Sequence, residues 1–370
     1  MRRVVHLTTV HQAFDNRIFR KECRSLAAAG FDVTLVVPHE RDETVDGVRI
    51  RALPRPEGRL ARLLLTGPRA WRAARSLDAD LYHLHDPELL GAGLLLRAAG
   101  KPVIYDAHED YRSSISQKAY LPAWLRRPLA VLSGAAERWA ARRLRVVLAE
   151  RYYARRLPRG LAVLNYPILA DYEDLPAPPD LADDRPRFLY TGWHSADRGA
   201  LVAAGLPGLH PDLVLHMVGY CPADLAAAMR RAAGADAERL LLEGEGRYVP
   251  HERILAHYAW PGWRAGVALF PPTPHYREKE LTKLFEYMAA GIPVLCSDFP
   301  VWRDLVEGAG AGRCVDPGDR EAVAAALRWF CDHRDEARAM GERGRRAARE
   351  RLNWEREAAK LAALYEEILG

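Results

Sequence analysis

Two Rossmann-like α/β halves, each built on a parallel sheet, are what this sequence predicts, and three observations carry that expectation. Short apolar runs alternate with amphipathic helical stretches through the first 165 residues. A proline-dense segment then breaks the rhythm, and the same rhythm restarts near residue 187. Strands covered on both faces read as short continuous apolar runs, and their alternation with helices implies crossover connections. The 370 residues also fit two domains better than one.

The first-half strand candidates are residues 4–7, 32–37, 48–53, 81–84, 103–105 and 146–148. Between the first two, residues 17–29 place Ile18, Leu26 and Ala29 on one helical face, and Gly30 stops the helix as a terminal glycine does. Pro167, Pro176, Pro178, Pro179 and Pro186 crowd the middle segment, beside the acidic pair Asp183 and Asp184. Proline removes backbone donors, so this segment reads as a linker. Strand candidates resume at 188–190, 214–218, 240–242, 267–270 and 293–296, and helical stretches close the chain at 320–330, 335–351 and 353–368. The expected division is a domain over 1–165, a linker over 166–186, a domain over 187–352 and a final helix over 353–370.

Composition narrows the class. Hydrophobic residues make up 49% and charged residues 28%, as in ordinary globular proteins, and the net charge of +5 does not call for nucleic acid. Only six of the 54 basic residues are lysines, so a single arginine most simply reads as a surface charge. Five cysteines without C-x-x-C spacing argue against a disulfide framework and for a reducing compartment. No apolar window reaches the ~18 residues of a membrane span, and no leader-like start is seen, so a cytoplasmic location is expected. Arg142, Arg143, Arg145, Arg151, Arg155 and Arg156 form a basic region. A solvated face is the simpler reading, and contact with anionic lipid or a phosphorylated acceptor is the alternative.

The most informative segment runs from Pro271 to Pro300. A loop rich in proline precedes a helix beginning near Leu281, and Gly291-Ile292-Pro293 stops it. Lys283 and Glu286 fall one turn apart. A cation in the first helical turn opposes the helix dipole, and it makes sense if an anion binds beside it. A surface Glu–Lys pair is the competing reading. The stretch from Tyr190 through Gly192, Trp193, His194 and Arg198 to Gly199 follows the first strand of the second half, where open parallel sheets bind ligands. His83-Leu84-His85-Asp86 puts two histidines on one side of a strand, but no third histidine or cysteine ligand is obvious, so no metal site is expected.

The run from Thr282 to Pro293, with Glu278 and Glu286 in E-x7-E spacing, closely resembles the donor-site helix of family-4 retaining glycosyltransferases, whose fold is called GT-B. That resemblance implies two Rossmann-like domains facing a central cleft, with the final helix crossing back to the first. It implies that Glu286 binds the ribose of a nucleotide and that Glu278 lies near the transferred sugar. Thr282, Lys283 and Leu284 open the helix on the diphosphate, Gly192 and Arg198 belong to the loop that meets it, and Val249 packs near the base. Residues 6–19 resemble the opening of a subset of the family, with Asp15 and Arg17 as acceptor-side candidates; helix capping is the other reading of Asp15. Residues 105–110 resemble the segment whose histidine faces the transferred sugar. This makes His108 the leading catalytic candidate, with Asp110 beside it.

The implied activity is transfer of a sugar from a UDP- or GDP-sugar to a hydroxyl of a glycan, glycolipid or small molecule, with retention. No cofactor and no metal are implied, since positive groups replace the metal at the leaving diphosphate. A nucleotide-sugar epimerase and a non-catalytic nucleotide-sugar-binding protein are the alternatives. A dinucleotide oxidoreductase is disfavoured, because no G-x-G-x-x-G follows the first strand.

Overall fold

The computed structural model describes residues 1–54, 67–108, 122–181 and 184–370. The chain forms two compact units, one of residues 1–165 with 354–370 and one of residues 166–353.

The first unit is built on an eight-stranded sheet of order β3-β4-β2-β1-β5-β6-β7-β8. These strands are β1 (Arg3–Leu7), β2 (Asp32–Pro38), β3 (Glu43–Val45), β4 (Val48–Leu53), β5 (Leu81–Leu84), β6 (Val103–Ala107), β7 (Arg145–Leu148) and β8 (Leu161–Ala162). Every pairing is parallel except β3 with β4. Val5, Leu7, Tyr82 and Leu84 enter an apolar core with Ala70 and Ala74 of α2 (Gly67–Ser76) and Leu90 and Leu96 of α3 (Leu90–Ala98). The helix expected at 17–29 begins as a π-helical stretch, Asn16–Cys23, and continues as α1 (Arg24–Ala28). α4 (Ala123–Ala141) precedes β7.

The second unit carries a fully parallel six-stranded sheet of order β11-β10-β9-β12-β13-β14. Its strands are β9 (Arg187–Thr191), β10 (Val214–Cys221), β11 (Leu240–Glu245), β12 (Trp263–Ala268), β13 (Val294–Ser297) and β14 (Gly312–Val315). Around it lie α5 (Ala200–Ala204), α6 (Ala223–Ala233), α7 (His251–Tyr258), α8 (Thr282–Ala290), α9 (Pro300–Val306), α10 (Arg320–Asp332) and α11 (Arg334–Glu350). The last helix, α12 (Trp354–Leu369), packs in the first unit. There the Trp354 indole N–H donates to Ser25 Oγ at 2.8 Å, and Glu357 accepts from the Leu164 amide at 2.9 Å. Both sheets therefore match the parallel α/β class expected from the apolar rhythm.

The C-terminal ends of β9 and β10 approach each other closely. A Cβ on Gly219 would meet the Gly192 carbonyl oxygen at 2.0 Å. Gly199, at φ +75, leaves no room either, since a Cβ there would meet the Leu269 carbonyl oxygen at 1.9 Å. Only glycine lets this loop press against the end of β12.

Candidate active site

The strand ends of the second unit assemble a cationic site at the start of α8. Leu281 occupies the cap position of that helix and supplies no side-chain hydrogen bond to its first turn. The Thr282 and Lys283 amides belong to the groups that a helix start leaves without helical acceptors. Gly291, at φ +75, ends the helix, with Gly291 N–H donating to Met288 O and Ile292 N–H to Tyr287 O. Leu284, Phe285, Tyr287 and Met288 are buried and fix its inner face. The Tyr287 hydroxyl accepts from the Thr191 amide at 3.0 Å, which locks α8 to the end of β9.

Lys283 is the unusual member. The residue is partly exposed at its surface, yet its Nζ is sealed from solvent and has no hydrogen-bond partner among the described residues. The ammonium sits 3.7 Å from the Tyr190 ring centroid and 5.1 Å from that of Phe270. Burial, and then the nearby Arg198 guanidinium, push its pKa well below the ordinary lysine value, against a smaller upward pull from Glu286. A buried amine without a hydrogen bond is unfavourable, above all in its charged form, and the protein keeps one here, facing the Arg198 guanidinium. Arg198 donates to the Tyr276 hydroxyl at 3.3 Å and to the Trp193 carbonyl at 3.4 Å.

Glu286, one turn beyond Lys283, accepts from the Tyr258 hydroxyl at 2.8 Å. Tyr258 in turn meets Thr191 Oγ1 at 2.8 Å. Glu278 is part-buried on the loop leading into α8. Gly192, at φ +94, begins the loop after β9. Val249 is buried and packs beside Gly244 at the end of β11. Leu284 does not offer its backbone as expected: its amide already donates to the Leu281 carbonyl at 3.1 Å, and its side chain is core.

Sequence reasoning did not single out His194 as a site residue. Its Nδ1 lies 3.1 Å from the Tyr220 carbonyl, which only accepts, so Nδ1 carries the proton. Nε2 is buried and has no hydrogen-bond partner among the described residues. Burial first, and then Lys283, lower its pKa to about 4, so the ring is neutral at ordinary pH and presents an acceptor nitrogen. Tyr190, Tyr258 and Tyr276, which hold the ionic groups in place, were missed as well; only Tyr190, at the strand end, carried a local signal.

In the first unit, His108 follows β6. Its Nδ1 lies 3.3 Å from Asp106 Oδ2 and its Nε2 lies 3.2 Å from His11 Nε2. Asp106 is buried and takes a bidentate pair from Arg17, Nε to Oδ2 and Nη2 to Oδ1, both at 2.9 Å. Asp110 lies outside the described residues, as do Glu109 and Asp183.

The acceptor-side expectation for Asp15 and Arg17 is corrected by these contacts. Asp15 caps the π-helical stretch, accepting from the Arg17 and Ile18 amides at 2.8 and 2.9 Å. Arg17 is buried, and it also donates to the Val163 carbonyl at 3.0 Å. Both side chains hold the scaffold. Asp86 likewise serves the fold. It accepts from Thr8 Oγ1 at 2.9 Å and from the Thr9 amide at 2.6 Å. Burial opposes its charge, but the His11 and Thr9 contacts hold its pKa at about 2.

Comparisons with known proteins agree with this architecture. Residues 16–159 match the family model described as Glycosyltransferase Family 4, and residues 202–347 match Glycosyl transferases group 1. A phosphatidyl-myo-inositol mannosyltransferase of Mycolicibacterium smegmatis is 28% identical, over 93% of this chain and 88% of that protein. An MMP alpha-(1->4)-mannosyltransferase of Mycolicibacterium hassiacum is 26% identical, over 81% and 74%. Among solved structures, sucrose-phosphate synthase from Thermosynechococcus elongatus superposes with a TM-score of 0.76 at 21% identity, covering 100% of this chain and 99% of that one. HepE of Anabaena, in complex with UDP and glucose, gives 0.72 at 12% identity, covering 99% and 100%. With two glycosyltransferase models matched in tandem on two parallel α/β units, the chain belongs to the family-4-like glycosyltransferases of the GT-B fold.

Proposed function

We propose that this glycosyltransferase takes its sugar from a nucleoside diphosphate donor whose two phosphates sit at the start of α8. The buried, unpartnered Lys283 ammonium carries the proposal. With Arg198 beside it and uncapped amides at the helix start, it forms an anion site in which no carboxylate among the described residues hydrogen-bonds the ammonium. Glu286, already oriented by Tyr258, accepts from the ribose hydroxyls. Glu278, Gly192 and Val249 are assigned to the sugar, the phosphate loop and the base. The cations stabilise charge as it develops on the leaving diphosphate, so transfer needs no metal ion there. His108, oriented by Asp106, is the group of the first unit assigned to the reacting centre, and the anomeric configuration is retained.

The named activities of the curated relatives make a mannosyl nucleoside diphosphate the first donor to test, and HepE with UDP and glucose makes UDP-glucose the second. Thermal shift against UDP, GDP and ADP checks the donor class. One of these is expected to raise Tm, since a ligand at a hundredfold excess over its Kd stabilises by about 2.7 kcal/mol. No shift with any of them, or a diphosphate located away from Lys283 in a soaked crystal, overturns the assignment.

The acceptor is proposed to be a hydroxyl of a glycan or lipid-linked acceptor reached at a membrane surface. α4 exposes Trp124, Val131, Leu132 and Trp139, with Arg142 and Arg143 just beyond. A pocket of about 310 Å³ beside it is lined by Arg138, Arg142, Arg156 and Arg159. Apolar anchors flanked by arginines suit an anionic bilayer. Flotation with anionic but not zwitterionic vesicles is expected, and equal behaviour with both removes the membrane from the proposal.

A further inference from the structure

The first sheet has a polar face that is shut off from water. His6 on β1 pairs in register with His83 on β5, and His85 follows two residues later, so all three imidazoles project to one side. Glu22 of the π-helical stretch comes down on them, and all four side chains are buried. Glu22 Oε2 stands 4.0 Å from His6 Nδ1, 3.9 Å from His83 Nδ1 and 4.0 Å from His85 Nε2. These separations are too long for hydrogen bonds, and Oε2 has no hydrogen-bond partner among the described residues.

Each ring is oriented from outside by one of its nitrogens. His6 Nε2 and His83 Nδ1 meet the Tyr365 hydroxyl at 3.0 and 2.7 Å, and His85 Nδ1 meets Asp106 Oδ2 at 3.3 Å. The inner nitrogens of His6 and His85 are 2.9 Å apart, and His83 Nε2 has no hydrogen-bond partner among the described residues. One ligand atom from each of the four residues lies within 4.8 Å of the others.

We propose that His6, His83, His85 and Glu22 form a buried metal centre for one zinc(II) or similar first-row divalent ion. Three imidazoles and one carboxylate are a donor set such ions accept. Tetrahedral ligands about 2.0–2.1 Å from an ion stand ~3.4 Å apart. Among the inner atoms, His6 Nδ1, His85 Nε2 and Glu22 Oε2 stand 2.9–4.0 Å apart, which brackets that value, and the unpartnered His83 Nε2 is the ring nitrogen left to the ion. The outer contacts from Asp106 and Tyr365 are what metal-binding histidines have, since they fix the tautomer and the ring angle. Arg17 pairs with both Asp106 and Glu22. Four protein ligands with no open position make the centre structural, tying β1 and β5 to the π-helical stretch, with α12 behind it. It is separate from the metal-free donor chemistry proposed for the second unit and does not depend on it.

A buried water, or a protonated Glu22 among neutral imidazoles, is the rival occupant. Elemental analysis of the full chain, grown with added zinc and purified without a metal-binding tag, decides between them. About one zinc per chain is expected, with an anomalous-scattering peak inside the quartet. Glu22→Gln and His83→Gln are expected to lose bound metal at least tenfold, whereas His11→Ala keeps it. Metal-free wild-type chain whose Tm does not respond to zinc on refolding overturns the proposal. So does an anomalous peak on His11, Asp86 and His108 instead. The wild-type measurements stand even if the variants fail to fold.

Discussion

Lys283→Ala is expected to lower kcat/KM by about 10²–10³, the effect of removing one donor that acts on developing negative charge. The same substitution should leave the donor-free protein as stable as the wild type or more so, because it removes a buried amine with no hydrogen-bond partner. Opposite signs in activity and stability separate a phosphate ligand from a packing residue. Proton linkage gives a second readout. Burial and Arg198 hold the free amine's pKa well below 10.5, and a bound diphosphate returns it upward. Binding therefore takes up protons, and affinity falls as pH rises between the two values. Calorimetry in buffers of different ionisation enthalpy measures the uptake, which should vanish in the variant. Activity within a few-fold of wild type in a folded Lys283→Ala protein refutes the assignment.

Arg17→Ala should be the most destabilising single change in the first unit. Arg17 answers two buried carboxylates, Asp106 at 2.9 Å and Glu22 at 3.1 Å. Burial opposes its charge, but these two acids hold its pKa above the ordinary arginine value. Removing one partner of a buried pair costs roughly 3–5 kcal/mol, because the remaining charge has no solvent to turn to. Arg17→Lys should rescue only part of this, since a lysine cannot make the paired contact to both Asp106 oxygens. Urea denaturation measures both. A loss under about 1 kcal/mol for Arg17→Ala contradicts the description of this cluster.

The parallel sheets were legible because buried strand segments such as residues 146–148 and 188–190 are continuous apolar runs with turn residues between them. Two of the strands that escaped notice lack that signal. β3 is a three-residue antiparallel edge piece, and Gly312-Arg313-Cys314-Val315 of β14 is only partly buried. The charge of Lys283 and its spacing to Glu286 were visible, but its burial was not. Burial there depends on Tyr190 of β9 and on Phe270 of the loop after β12. The histidine cluster was hidden for the same reason. His83 and His85 announce themselves at i, i+2, whereas His6 arrives through register across 77 residues and Glu22 through a π-helical turn that periodicity reads as ordinary helix. Asp15 and Arg17 were misassigned because an Asp-x-Arg at a helix start looks the same whether it faces ligand or core.

The return of α12 to the first unit sets an order of events during synthesis. A ribosome finishes residues 1–165 long before it releases 354–370, so the nascent first unit waits without Trp354 against Ser25 and without the Tyr365 hydroxyl between His6 and His83. The second unit, continuous in sequence, can complete itself first. Closure of the earlier-made half is thereby deferred until residues 354–370 have emerged from the exit tunnel.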